Sequence, residues 1–325
     1  MADPDLSAIP REHLGTLPTP LVAAPRLSEE LGIEIWFKRD DLTGIGLGGN
    51  KVRPLEFLLG DALVRGCDVL VTGSGPQSNW SMLAALAARR CGLDSVVCFY
   101  GDAPPTVQGN LLLHSTIGTT VQYTGDPSRA TVDALIEVTS HELRAAGRNP
   151  AVLPRGGATS RGAIGYVAAA LELREQTTAA GLANPTLWMA TGSCGTQAGL
   201  VAAVAAGILP EVIGVTVSRT ADECRERVLA LATGTAELIG TPTPHAAQVN
   251  IVDGWIGPGY GYASAEGKSA ADLVARSEGL FLDPPFCAKA MAALVFAASN
   301  GDITGPVVFL VSGGAPTLFV QDGDL

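Results

Sequence analysis

Short apolar runs that end in glycine alternate with stretches of helical spacing along most of this chain. Asp68-Val69-Leu70-Val71-Thr72-Gly73 is the clearest run. Ile33–Lys38, Ser95–Tyr100, Thr120–Tyr123, Ala151–Pro154, Leu187–Ala190, Val212–Val217 and Pro306–Val311 read the same way. Near-continuous apolar runs of this length suit strands buried on both faces. Between them, Val52, Leu55, Leu58, Leu59 and Leu63 follow helical spacing and predict a helix over Lys51–Arg65. Further helices are expected at Leu27–Leu31, Ser81–Cys91, Asn110–Ile117, Ala130–Ala146, Gly162–Gln176, Ala221–Ala232, Ser269–Glu278 and Cys287–Ala298. The proline-dense segment Thr16–Leu21 predicts an extended arm. Residues 233–262 read as loop-rich, and Phe281–Pro284 as a short strand. The recurring order of strand, glycine-rich turn and helix predicts an α/β fold with parallel sheets and helices on both faces. Ligands bind such sheets at the carboxyl ends of the strands, which is where these glycines fall.

Composition narrows the picture. A chain of 325 residues, 47% hydrophobic and 16% charged, is long enough for two domains with a sizeable core. A net charge of −11 gives nucleic-acid binding no electrostatic support. No apolar run reaches the roughly 18 residues that span a bilayer. Met1-Ala2-Asp3-Pro4-Asp5 has neither the basic nor the apolar region of a signal peptide, so a cytoplasmic protein is expected. The six cysteines contain no Cys-x-x-Cys pair and the four histidines lie far apart. Neither a metal site nor a disulfide framework is expected.

The chemistry concentrates in the glycine-rich turns. Gly48-Gly49-Asn50-Lys51 places a lysine at the mouth of a helix, behind glycines that allow close backbone approach. A partly desolvated lysine there has a lowered pKa and can act as an amine nucleophile. Gly192-Ser193-Cys194-Gly195-Thr196, between a strand and a helix, presents consecutive amides and two hydroxyls suited to a phosphate. No lysine follows it, so it is not a Walker A loop. A reactive lysine and a separate phosphate cradle together suit pyridoxal phosphate, the lysine forming the Schiff base. Gln77-Ser78-Asn79 and Ser312 stand at two other strand ends, placed to meet the cofactor ring and the substrate carboxylate.

These segments carry a resemblance. With Phe37-Lys38-Arg39-Asp40-Asp41-Leu42, Gly257-Pro258-Gly259-Tyr260-Gly261, Glu278 to Pro284 and Gly313-Gly314-Ala315-Pro316, the chain resembles the fold-type II pyridoxal phosphate enzymes, the tryptophan synthase β family. It is most similar to their D-cysteine desulfhydrase and 1-aminocyclopropane-1-carboxylate deaminase group, from about Thr19 to Phe319. The resemblance implies a larger cofactor-binding domain, residues 1–49 and 161–325, and a smaller inserted α/β domain, residues 50–160. It implies a homodimer with the cofactor between the domains. Lys51 matches the Schiff-base lysine that also moves the α-proton. Ser78 matches a substrate-contacting serine thought to take part in catalysis, and Tyr260 an active-site tyrosine. Asn79 lies beside the cofactor ring with Asn50 close to it, Gly192 to Thr196 match the phosphate loop, and Ser312 the residue at the pyridine nitrogen.

Departures from the pattern bear on the substrate. Relatives carry Asp-Pro-Val-Tyr where this chain has Asp283-Pro284-Pro285-Phe286. Ring-opening deaminases continue with a glutamate, and here it is Cys287. Trp80 replaces a smaller polar residue and reshapes the pocket. Cys194 replaces a glycine, expected to be without consequence. The resemblance therefore implies α-proton removal and β-elimination on a small amino acid, giving a keto acid and ammonia. β-Replacement, racemisation, ring-opening deamination and a non-catalytic cofactor-binding protein remain as alternatives. The other candidates have structural readings: His114, Trp36 and Trp188 as packed residues, and Asp40 and Asp41 as solvating a loop end rather than capping the approach to the site. Arg155 is open between an anionic substrate group and the surface.

Overall fold

The computed structural model describes residues 3–320 and contains two sheets. The first holds six strands in the order β1-β2-β10-β7-β8-β9: β1 Leu21–Ala23, β2 Ile35–Arg39, β10 Val307–Val311, β7 Thr186–Thr191, β8 Glu211–Thr216 and β9 Asn250–Val252. All neighbours run parallel except β1, which pairs antiparallel with β2, Leu21 opposite Lys38. The second holds β5 Thr120–Tyr123, β4 Asp94–Phe99, β3 Val69–Ser74 and β6 Pro150–Val152, in that order and all parallel. β3 and β10 are buried at every position, as central strands covered on both faces should be.

The helices are α1 Pro25–Leu31, α2 Val52–Val64, α3 Asn79–Arg90, α4 Gly109–Ile117, α5 Thr131–Ala145, α6 Ser160–Ala179, α7 Gly195–Ala205, α8 Ala221–Ile239, α9 Ala265–Glu278 and α10 Cys287–Ser299. Two apolar clusters cover the six-stranded sheet, one built on α6, α7 and α8 and the other on α9 and α10. A third, with Val52, Leu55, Leu59, Leu83 and Leu70, lies under α2 and α3 and also takes in Leu14 and Ile45. Among the described residues no helix is long and apolar enough to cross a membrane.

Four expectations change. The proline-dense arm ends in a strand, β1, rather than staying unpaired. The segment 233–262 is less loop-rich than its composition suggests, because α8 runs on to Ile239 and β9 follows. Phe281–Pro284 forms no strand. Asp40 does not solvate a loop end. It is fully buried, and accepts hydrogen bonds from Arg53 Nε and Nη2 at 2.8 Å each, from Tyr166 Oη at 2.6 Å and from Thr19 Oγ1 at 2.8 Å. Glu172 on α6 pairs with both Arg53 and the buried Lys38. Burial alone would raise the Asp40 carboxyl, but the Arg53 guanidinium holds it below its ordinary value. This network ties the end of β2 to α2 and α6.

Candidate active site

Lys51 immediately precedes α2, already in helical conformation. The chain reaches it through Gly48, whose φ of +73° is left-handed and where a Cβ would overlap the Asp41 carbonyl, so the turn requires glycine. Thr43 Oγ1 accepts from the Gly49 amide at 2.9 Å and donates to the Gly49 carbonyl at 3.0 Å. The Asn50 amide donates to the Ser312 carbonyl at 2.8 Å, and Asn50 Nδ2 to Thr196 Oγ1 at 3.1 Å. The lysine is thus fixed against β10 and α7. Desolvation lowers its ammonium from 10.5 to about 8, which brings the neutral amine within reach near neutral pH.

Lys51 lines a cleft at the carboxyl ends of strands from both sheets. Asn50, Ser78, Asn79, Trp80, Gly192, Ser193, Tyr260, Phe286 and Ser312 line the same cleft. Cys194, Gly195 and Thr196 border the smaller voids next to it, which Lys51 shares. The residues singled out in the sequence therefore converge on one place.

The Gly192–Thr196 turn feeds the N-terminus of α7. Among the described residues the amides of Ser193, Cys194, Gly195 and Thr196 donate to no protein acceptor. Together with the helix dipole they form an anion cradle. Cys194 has φ +75°, a left-handed conformation that costs a side chain about 1–2 kcal/mol and glycine nothing. Its side chain is buried in the α7–α8 core. Two arginines hold the turn from behind: Arg219 Nη1 donates to the Gly192 carbonyl, and Arg227 Nε to the Ser193 carbonyl at 3.2 Å.

Ser78 caps α3, its Oγ accepting from the Trp80 amide at 3.2 Å. Asn79 Oδ1 accepts from Asn110 Nδ2 at 2.8 Å. Asn110 also bonds the Gln77 carbonyl and side chain, so α4 orients the whole 77–79 turn. Trp80 is buried, with Nε1 donating to Thr72 Oγ1 at 2.9 Å. Its indole lies where a Cβ on Gly157 would sit, and Gly157 has φ +71°. It forms a fixed wall of the cleft.

At the opposite end, Ser312 Oγ lies 3.0 Å from Cys287 Sγ. Cys287 follows Asp283, a buried carboxyl that accepts the Phe286 and Cys287 amides at 2.9 and 3.1 Å. Burial raises Asp283 to about 6 and pushes the Cys287 thiol well up, so the thiol is neutral. Tyr260 packs against Phe286 with the rings tilted by 52° and their centroids 5.7 Å apart. Buried Lys289 donates to the Ile256 and Gly259 carbonyls at 2.6 and 2.9 Å and so holds the Tyr260 loop.

Some cleft residues carry no motif in the sequence. Tyr100, Arg129 and Arg219 line it, and Arg129 Cζ lies 4.1 Å from the centre of the Tyr260 ring. Arg155 lines the cleft and pairs with the exposed Asp133 at 3.2 Å. Asn110 and Lys289 act behind the wall. His114 is buried with both ring nitrogens unpaired and its pKa lowered to about 4 by burial, which leaves it neutral and structural.

The family model described as pyridoxal-phosphate dependent enzyme matches residues 13–313. A protein named putative 1-aminocyclopropane-1-carboxylate deaminase from Pyrococcus abyssi is 39% identical over 316 residues, 97% of this chain and 94% of that protein. A D-cysteine desulfhydrase from Salmonella choleraesuis is 40% identical over 330 residues, covering 97% of each chain. The crystal structure of a 1-aminocyclopropane-1-carboxylate deaminase homologue superposes with a TM-score of 0.90 at 33% identity, over 97% of this chain and 94% of that one.

Proposed function

This chain belongs to the family of pyridoxal-phosphate dependent enzymes, and from that premise we propose that it removes the α-proton of a small amino acid and eliminates its β-substituent. The products are a keto acid and ammonium. One observation carries the reading: a desolvated lysine and a set of unpaired helix-start amides border one cleft. The donor set fits the cofactor. The amides of residues 193–196 suit its phosphate, Lys51 its aldehyde carbon, and the Ser312 hydroxyl its ring nitrogen. Bound pyridoxal phosphate supplies an electron sink for the pair left at the α-carbon.

The chain's own residues do the rest. The start of α3, with Ser78 and Asn79, binds the substrate carboxylate through amides and hydroxyl. Asn110 and the buried Trp80 fix that turn, so little is reorganised on binding. Lys51 Nζ takes the α-proton; an amine with a pKa near 8 is matched to that task around neutral pH. Tyr260 faces the β-substituent, and Phe286 holds its ring in place. Near Ser312 the neutral thiol of Cys287 stands where a carboxylate would favour a protonated ring nitrogen, and this disfavours ring-opening deamination.

The division into a larger domain, residues 1–49 and 161–325, and a smaller one, residues 50–160, belongs to the same reading. It is supported by the four-stranded sheet, whose strands all fall within 50–160, although Leu14 and Ile45 pack into that core.

The test is turnover of a panel of D- and L-amino acids bearing β-leaving groups, cysteine included, by the cofactor-loaded enzyme. Keto acid and ammonium released in equal amounts are expected. α-Proton exchange into solvent with no keto acid would point to racemisation instead.

A further inference from the structure

The cleft is charged with one sign. Of its lining residues Lys51, Arg129, Arg155 and Arg219 are cationic and none is acidic, in a chain whose net charge is −11. Two of the four have assigned work. Lys51 holds the cofactor in the reading above, and Arg219 bonds the Gly192 carbonyl behind the phosphate cradle. The substrate's α-carboxylate has the start of α3. Arg129 and Arg155 are left over.

Both come from loops at the carboxyl ends of the four-stranded sheet, Arg129 after β5 and Arg155 after β6. Arg155 shares its charge with the exposed Asp133, at 3.2 and 3.4 Å. Arg129 has no ion pair among the described residues and rests on the face of Tyr260. The two act on the same place. Burial raises the pKa values of Tyr100 and Tyr260, and the charges of both arginines oppose this at each hydroxyl. A half-buried guanidinium over an aromatic ring is poorly compensated until an anion reaches its N–H fork. A substrate with a neutral side chain leaves that fork empty, whereas one with a second acid group fills it.

On the β-elimination reading above, we infer that the substrate's β-substituent is itself an acid group, held by Arg129 and Arg155 beside Tyr260. Phosphate esters and sulfonates share this chemistry. The Cα–H bond gives its proton to Lys51 Nζ. The Cβ–O or Cβ–S bond breaks, and its electron pair leaves with phosphate or sulfite. Water then hydrolyses the released enamine to pyruvate and ammonium, with no oxidant or reductant consumed. The arginines stabilise the charge gathering on the departing group, where such stabilisation accelerates the step.

The test compares kcat/KM for both hands of O-phosphoserine and 3-sulfoalanine with cysteine and serine, in the holoenzyme and in Arg129→Met and Arg155→Met. Phosphate or sulfite released in step with pyruvate separates the two leaving groups. One acidic substrate is expected to exceed every neutral one. The ratio of acidic to neutral kcat/KM should fall about tenfold to a hundredfold in Arg129→Met. Arg129→Lys should restore part of it. Neutral substrates outperforming all acidic ones, or an unchanged ratio in Arg129→Met, would overturn the inference while leaving the elimination reading intact. If no amino acid yields keto acid, calorimetry with 2-amino-3-phosphonopropionate, which holds its acid through an uncleaved C–P bond, separates the two claims. Binding that weakens tenfold or more in Arg129→Met supports the acid site and ends the elimination reading; absence of binding ends both.

Discussion

Asp40→Asn removes one charge from the most deeply buried ion pair of the molecule while keeping the side chain's size. Asp40 and Arg53 are 0% and 1% exposed, and their two 2.8 Å bonds form a bidentate fork. Breaking a buried pair from one side costs about 3–5 kcal/mol, because the remaining charge loses its compensation. Glu172 still touches Arg53 at 2.9 and 3.1 Å, so the guanidinium is not orphaned and the lower end applies, about 3 kcal/mol. The amide also cannot accept from all four donors that now meet the carboxylate. Equilibrium unfolding in urea should show this loss with an unchanged slope. The difference should be pH-dependent. Asp40's carboxyl is held below its ordinary value of 3.8, so its contribution is complete above that value and is lost as pH falls through the lower folded one. Wild type should therefore converge on the variant in acid. A loss below about 1 kcal/mol at neutral pH would refute the claim that this network fixes α2, and with it Lys51.

Three further predictions follow from groups around the cleft. Lys289→Met leaves the Ile256 and Gly259 carbonyls without their donor; activity should fall about tenfold through a looser Tyr260, with cofactor content unchanged by absorbance. Asp283 is raised by burial from 3.8 to about 6, so its contribution to stability is full below pH 4 and lost as pH rises through 6. Asp283→Asn should therefore gain about 2.4 kcal/mol relative to wild type between pH 4 and 7, read from paired urea titrations. Lys51 reacts with a carbonyl only as the neutral amine, so stopped-flow cofactor capture by the apoprotein should quicken with pH and level off above about 8.

Much of this architecture is legible in the chain because its signals are local. The runs at Val69–Ser74 and Val307–Val311 are apolar throughout since both faces are covered, and each ends in the glycines that shape the cleft. Gly48-Gly49-Asn50-Lys51 and Gly192–Thr196 are contiguous, so a reader of sequence meets their chemistry whole. What escapes depends on partners far along the chain. Asp40 looks like a solvated loop residue until Arg53 and Tyr166, 13 and 126 residues away, enclose it. The last two turns of α8 contain Thr233, Gly234 and Thr235, poor helix formers. They stay helical because Gly234 lets the helix pack against Ser160, and Thr235 Oγ1 donates to the Ser160 carbonyl at 3.0 Å. Arg129, Asn110 and Arg219 carry no motif at all. They matter only because the fold returns their loops to the cleft.

The central claim is that Lys51 carries the cofactor. Borohydride reduction of the purified, cofactor-loaded protein, followed by peptide mass spectrometry, tests it directly. A reduced pyridoxyl adduct on the peptide containing Lys51, absent from Lys51→Ala, is the predicted result. An adduct on another lysine, or none after reconstitution with pyridoxal phosphate, would contradict the account.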